Sequence, residues 1–100
     1  MTDEKQKWVI IRSKSAGVFA GILDKRYKNH KVKLKNARRI YYWDGASTLS
    51  ELATLGVSRP STCKFPATVP EIEIFEVIEI IPLSEKAKAS INSVKVWTQH

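Results

Sequence analysis

No side chain between Val18 and Leu23 is polar, and this short run limits the fold more than any other part of the sequence. In an extended strand successive side chains point to opposite faces, so Phe19 and Leu23 oppose Val18 and Ile22. A strand that is apolar on both faces needs a cover on each side, whether a helix, a second sheet or another subunit. The chain of 100 residues makes a single domain, 1–100, with one modest core and no room for a separate cofactor domain. A barrel-like or oligomeric arrangement is therefore expected.

The rest of the chain supplies the partners. Lys7–Ser13 is dense in β-formers and is expected as the first strand, with Ser15–Gly17 as a turn into Val18–Leu23. Asp24–Asn29 is a charged connector, and Lys31–Trp43 forms one or two further extended segments. Thr48 with Glu51 three residues later makes a capping box; Leu49, Leu52 and Ala53 form an apolar stripe, and Gly56 marks the end of a short helix. Val57–Pro70 holds three of the four prolines and is expected as a surface loop. Glu71–Ile81 is a strand whose alternation shifts at Phe75–Glu76, and Pro82 closes it. Ser84 caps a second helix through about Ser93, with Ala87 and Ile91 inward. Val94–Trp97 is a final short strand, with Trp97 stapling the terminus to the core. The expected class is α+β: a strongly bent antiparallel β-sheet or partial barrel with two short helices, assembled as a homodimer or larger homo-oligomer.

Lys31–Trp43 carries five positive charges and three adjacent aromatics. Unbroken alternation puts Val32, Leu34, Ile40 and Tyr42 on a core face and Lys31, Lys33, Lys35, Arg39, Tyr41 and Trp43 on a contact face. Strict continuation sends Arg38 to the core, but a β-bulge at Asn36–Ala37 turns it outward beside Arg39. Cations next to aromatic rings suit a phosphate attached to a flat base, since the cation meets charge and the ring stacks. Lys33, Lys35, Arg38 and Arg39 are the candidate phosphate contacts, and Tyr41, Tyr42 and Trp43 the candidate stacking rings. Free N–H groups at the first helix start, with the hydroxyls of Ser47 and Thr48, offer a further phosphate contact. Self-capping by either hydroxyl is the competing expectation.

The charge is local. The formal net charge is +7, with twelve Lys or Arg against three acidic residues in 1–43 and five against seven in 44–100. That asymmetry favours an anionic partner such as a nucleotide, a nucleic acid or an acidic protein surface.

Catalytic readings rank below binding. His30 sits in a Lys-rich connector and His100 is the last residue, so neither is expected beside a nucleophile. Cys63 is alone, excluding an intrachain disulfide or a thiolate cage, and is expected as a buried thiol in a reducing cytoplasm. Glu71 and Glu73 share a strand face but lack a companion His, Ser or ligand set, so they are expected to pair with basic residues of a neighbouring strand. Gly17 and Gly21 mark close packing or a bulge, not a phosphate loop. The apolar start Trp8–Ile11 is too short for a signal core or a membrane span. No enzyme activity, cofactor, metal or membrane association is expected.

The sequence resembles a family of small bacteriophage proteins catalogued as a domain of unknown function. The resemblance is carried by Ser15-Ala16-Gly17-Val18-Phe19-Ala20-Gly21, Leu34-Lys35-Asn36-Ala37-Arg38-Arg39, Tyr42-Trp43 and Gly45-Ala46. Leu49-Ser50, Leu52-Ala53, Gly56-Val57, Cys63-Lys64-Phe65-Pro66 and Glu85-Lys86-Ala87-Lys88 extend it in the same order. It departs in the basic connector Lys25–Lys35. The resemblance implies an accessory protein in the cytoplasm of an infected bacterium, where small non-enzymatic proteins block host defence or redirect nucleic-acid processes. Three readings follow. A counter-defence sponge sequesters a nucleotide immune signal without cleaving it; a sequence-tolerant DNA or RNA binder follows the backbone; a protein–protein inhibitor of a host factor uses Trp and Arg anchors.

Overall fold

Three strands, β1 (Trp8–Ser13), β2 (Gly17–Tyr27) and β3 (Lys31–Arg39), run as an antiparallel meander. The computed structural model describes residues 6–98, so residues 1–5, Gln99 and His100 lie outside the described residues. Helix α1 (Leu49–Leu55) and a single 3-10 turn at Pro60–Thr62 follow. Strands β4 (Val69–Ile74) and β5 (Val77–Pro82) then return to opposite edges, giving the order β4-β3-β2-β1-β5, and α2 (Glu85–Ser93) ends the regular structure. The architecture is α+β: a five-stranded antiparallel sheet, not closed, with two helices.

The apolar run in β2 is covered on both sides within one chain. Ile10, Ala20 and Ile40 pack with Leu52 and Ala53 of α1 and Ile91 of α2. On the opposite face Val9, Ile11, Phe19, Val32, Leu34 and Ala37 form a second core with Ile74 and Val77. No helix residue belongs to this second core, yet Val9, Ile11 and Leu34 are wholly buried. The sheet therefore covers this face by curling, bringing both edge strands over its own centre. The covering that the sequence requires comes from helices on one side and from curvature on the other.

Two irregularities produce the bend. Ala20 pairs with Arg38 and Ile22 with Lys35, so β3 carries an extra residue beside Asn36, whose φ is 49°. Gly21 lies opposite this bulge, where an added Cβ would stand 3.0 Å from the Ala37 Cα. A side chain there would press on the backbone of β3, so the close approach of the two strands favours glycine. A second register shift falls between Leu23 and Lys25.

The helices follow their caps. Thr48 Oγ1 accepts from the Glu51 N–H at 3.1 Å and Ser84 Oγ from the Ala87 N–H at 2.9 Å. Gly56 ends α1 at φ 80°, ψ −157°, donating its N–H to Leu52 O.

Four expected boundaries differ. β2 continues to Tyr27 through the charged connector, and the Asn29–His30 pair, both at positive φ, makes the tight hairpin turn. β3 stops at Arg39, short of Trp43, where the chain leaves the sheet for α1. Glu71–Ile81 is two strands, because Glu76 at φ 58° turns a corner held by Ser13 Oγ on Phe75 O and by the Lys14 N–H on Glu76 O. Val94–Trp97 is no strand; Val96 makes a single bridge to Phe65.

Candidate functional site

The bulge in β3 divides the expected contact face. Before it, Lys31, Lys33 and Lys35 alternate with the buried Val32 and Leu34. Beyond it, Arg39 lies on the opposite face, with its guanidinium 4.4 Å from the Phe19 ring centroid and Nη1 donating to Ala16 O at 2.7 Å. Arg38 and Ile40 turn toward the helices, and Ile40 joins the helix-side core, away from Val32 and Leu34. The stripe expected of unbroken alternation does not form.

Arg38 corrects the outward placement most sharply. Its side chain is buried, and three of its N–H groups donate to carbonyls: Nε to Pro66 at 3.0 Å, Nη1 to Ile91 at 2.9 Å and Nη2 to Phe65 at 3.2 Å. Ile91 lies in the last turn of α2, where the helix dipole is negative and no basic residue of the helix itself is present. Burial lowers the Arg38 pKa, but a guanidinium remains protonated at neutral pH. Arg38 therefore clamps three chain segments together, with its side chain turned away from the surface.

Lys33 and Lys35 stand among acids. Register places Lys33 opposite Glu73 and Lys35 opposite Glu71. Lys33 Nζ lies 3.7 Å from Glu71 and 4.0 Å from Asp24, Lys35 Nζ lies 4.0 Å from Asp24, and Lys31 Nζ lies 3.7 Å from Glu73. Glu71, chiefly, holds the Lys33 pKa above its ordinary value. The paired carboxylates of β4 thus neutralise the basic strand, as the alternation in Glu71–Glu73 suggested.

The start of α1 is satisfied from within. Ser47 donates to Glu51 Oε1 from its N–H at 2.9 Å and from its hydroxyl at 2.6 Å, while Thr48 accepts from the Glu51 N–H. The carboxylate occupies the place proposed for a phosphate. These bonds, the Ser47 hydroxyl first, hold the Glu51 pKa below the ordinary carboxylate value. A depressed carboxylate contributes stability that is present above its unfolded pKa and lost as pH falls through the folded value. Replacing Glu51 with Gln should therefore lower the melting temperature modestly at pH 7. The two proteins should converge once acid has protonated Glu51. Melting curves across that range provide the check.

What remains exposed is a cluster that three distant segments assemble. The N–H groups of Tyr41 and Tyr42 both donate to Lys64 O, at 3.1 and 3.2 Å, and the Lys64 N–H donates to Tyr42 O at 2.8 Å. Two residues facing one is the signature of a bulge, and it re-aims the tyrosines. The Trp97 N–H donates to Phe65 O at 3.0 Å, setting its indole on the Tyr41 ring with centroids 5.4 Å apart and planes inclined 11°. Lys64 Nζ lies 5.9 Å from the Tyr42 ring centroid and 5.6 Å from that of Trp97. Tyr41 is 64% exposed and Tyr42 49%. Beneath them Phe65 is fully buried, with its carbonyl held by Arg38. A shallow groove of about 410 Å³ bounded by Lys95, Val96 and Trp97 adjoins the cluster.

Of the expected stacking rings, Tyr41 and Tyr42 are thus brought together, while Trp43 is half-buried against the helix-side core. Lys64 and Trp97 were not foreseen as contacts. Lys64 lies between the buried Cys63 and Phe65, an alternation that points it outward, but nothing local pairs it with Trp97.

Other chemistry is sparse. Cys63 is buried and free, with Sγ 3.4 Å from the Asp44 N–H. His30 is exposed at the hairpin tip. Among the described residues no three His, Cys, Asp or Glu stand together to hold a metal, and no helix is long and apolar enough to cross a membrane. No curated protein matches the chain, and no solved structure does. The profile of one family, described as Domain of unknown function (DUF6948), covers residues 6–91, and the chain belongs to that family.

Proposed function

We propose that this protein is a non-catalytic binder of single-stranded nucleic acid, stacking bases on Tyr41, Trp97 and Tyr42 and meeting phosphate with Lys64. The observation that carries this reading is the near-parallel Tyr41–Trp97 pair, set on an exposed surface with a lysine between it and a second tyrosine. Every base has a π-face, so such a platform accepts sequence broadly, and an ammonium beside it draws the backbone. The formal charge of +7 supports the same reading by attracting a polyanion.

The open shape of the platform favours a polymer over a small nucleotide. Tight capture of a small ligand requires most of its surface to be buried, whereas a polymer gathers affinity from several weak contacts. A nucleotide sponge at this site would need a second copy to close over it. The phage setting implied by the sequence resemblance fits a protein that coats or diverts nucleic acid in the bacterial cytoplasm.

Fluorescence anisotropy with a short labelled oligothymidine tests the proposal. Tyr41→Ala and Trp97→Ala should each weaken binding by about 1–3 kcal/mol, roughly 5- to 150-fold, with little change in melting temperature. Lys64→Ala should reduce the salt slope by about 0.7. No binding at ~50 mM salt, where electrostatic attraction is strong, overturns the reading. A salt-tolerant thermal shift with one cyclic nucleotide, without oligonucleotide affinity, would replace it with the sponge.

A further inference from the structure

We propose that the outer edge of β5, together with the basic hairpin tip facing it, is a second binding site, one that takes an extended acidic peptide by strand addition. Among the described residues β5 pairs only with β1. The Leu83 N–H donates to Trp8 O, and Ile10 pairs with Ile81 and Arg12 with Glu79. Antiparallel pairing alternates inward and outward backbone groups, so Leu83, Ile81 and Glu79 bond toward β1. The N–H and carbonyl of Ile80 and the carbonyl of Pro82 consequently face outward. Pro82 has no N–H to leave unpaired there, which is the usual position of proline in an edge strand. At the other end the Val77 N–H is already taken by His30 O at 2.9 Å, so the open stretch begins after Val77.

This edge borders a groove of about 540 Å³ that runs the length of β5, from Val77 to Pro82. A groove that follows a strand for six residues spans about 20 Å, which suits an extended chain better than a compact ligand. Its opposite wall is cationic: Arg26 and Lys31 come from the β2–β3 hairpin, and Lys7 stands near the Pro82 end. Lys31 is shared with Glu73, whereas neither Lys7 nor Arg26 has a carboxylate partner among the described residues. The one acid of the groove, Glu79, is held by Arg12 at 3.0 Å. A partner strand with alternating carboxylates therefore meets cations on one side and the backbone of Ile80 on the other. Its apolar side chains would cover Ile78, which is 55% exposed. A second β5 in the groove would bring its own cationic wall against this one, so charge selects a foreign acidic segment.

The bulge that leaves Ile78 unpaired with β1 and the proline at position 82 shorten the edge, a common defence against indiscriminate pairing. Main-chain bonds alone are then too few for stable addition, and the cations supply the selectivity. The site is separate from the aromatic platform and does not depend on it.

The test uses the full chain and a capped peptide of alternating Glu and Val, with a Lys–Val peptide as the control. Amide spectra and hydrogen exchange should show slowed exchange of the Ile80 N–H on adding the acidic peptide, and no effect of the basic one. Arg26→Glu and Lys7→Glu, both surface changes, should each weaken binding roughly tenfold, while Tyr41→Ala leaves it unchanged. Binding with unaltered exchange at Ile80 would overturn strand addition. Equal binding of both peptides would overturn the acidic specificity. Concentration-dependent protection of Ile80 without peptide would overturn the foreign segment by assigning the edge to a second copy.

Discussion

Arg38→Ala should destabilise the protein by about 3–5 kcal/mol, the largest loss expected from any single change in the basic segment. The substitution takes a donor from each of the carbonyls of Phe65, Pro66 and Ile91, leaving Phe65 O with the Trp97 N–H and Ile91 O with the Val94 N–H, and opens a space beneath them. For a domain of this size such a loss lowers the melting temperature by at least ~12 °C. Arg38→Lys should recover only part of it, because one ammonium cannot reach three carbonyls that a planar fork spans. Arg39→Ala is the control, since its guanidinium is exposed, resting on the Phe19 ring and donating to Ala16 O; there the change should stay within about 1 kcal/mol. Denaturant unfolding of the four proteins measures this directly. An unchanged melting temperature in Arg38→Ala, joined to lost ligand affinity, would return the residue to the surface.

Replacing Gly56 with Ala should cost about 2–4 kcal/mol, and for a different reason. The backbone there sits at φ 80° and ψ −157°, a conformation that residues with a Cβ scarcely adopt. The new methyl would also lie 2.3 Å from the Ser90 Cβ, where α1 and α2 meet. Ser90 Oγ accepts from the Val57 N–H at 3.0 Å, so pushing the helices apart breaks that bond as well. Adding Ser90→Gly to Gly56→Ala should relieve the overlap but not the backbone conformation. The double mutant should therefore recover part of the loss, and full recovery would show that packing alone fixes Gly56.

These two residues show what the sequence discloses and what it hides. The limits of both helices were legible because capping is chemistry between neighbours: Thr48 with Glu51, Gly56 at the stop, Ser84 before α2. The bulge in β3 was legible as an interruption of alternation at Asn36–Ala37. The direction of Arg38 was not, because the carbonyls that draw it inward belong to residues 65, 66 and 91. Pairing between the lysines of β3 and the carboxylates of β4 followed from two alternating strands. The Phe75–Glu76 corner carried no glycine, proline or asparagine to announce it; bonds from Ser13 and Lys14 hold Glu76 at positive φ. The aromatic platform was half visible. Tyr41 and Tyr42 stand together in sequence, but Lys64 and Trp97 reach them through two isolated bridges, Tyr42 with Lys64 and Phe65 with Val96, between segments distant in the chain.

The curl of the sheet also sets an order of events during synthesis. Val9 waits for Pro82, and the concave core built on Val9, Ile11 and Leu34 is open until Ile74 and Val77 have left the ribosome. A nascent chain ending anywhere before β5 lacks Val77 on one face of the meander and Ile91 of α2 on the other, so both cores should be incomplete and the species prone to aggregate. Truncation before Val77 should yield an insoluble product, even though most of the chain would be present.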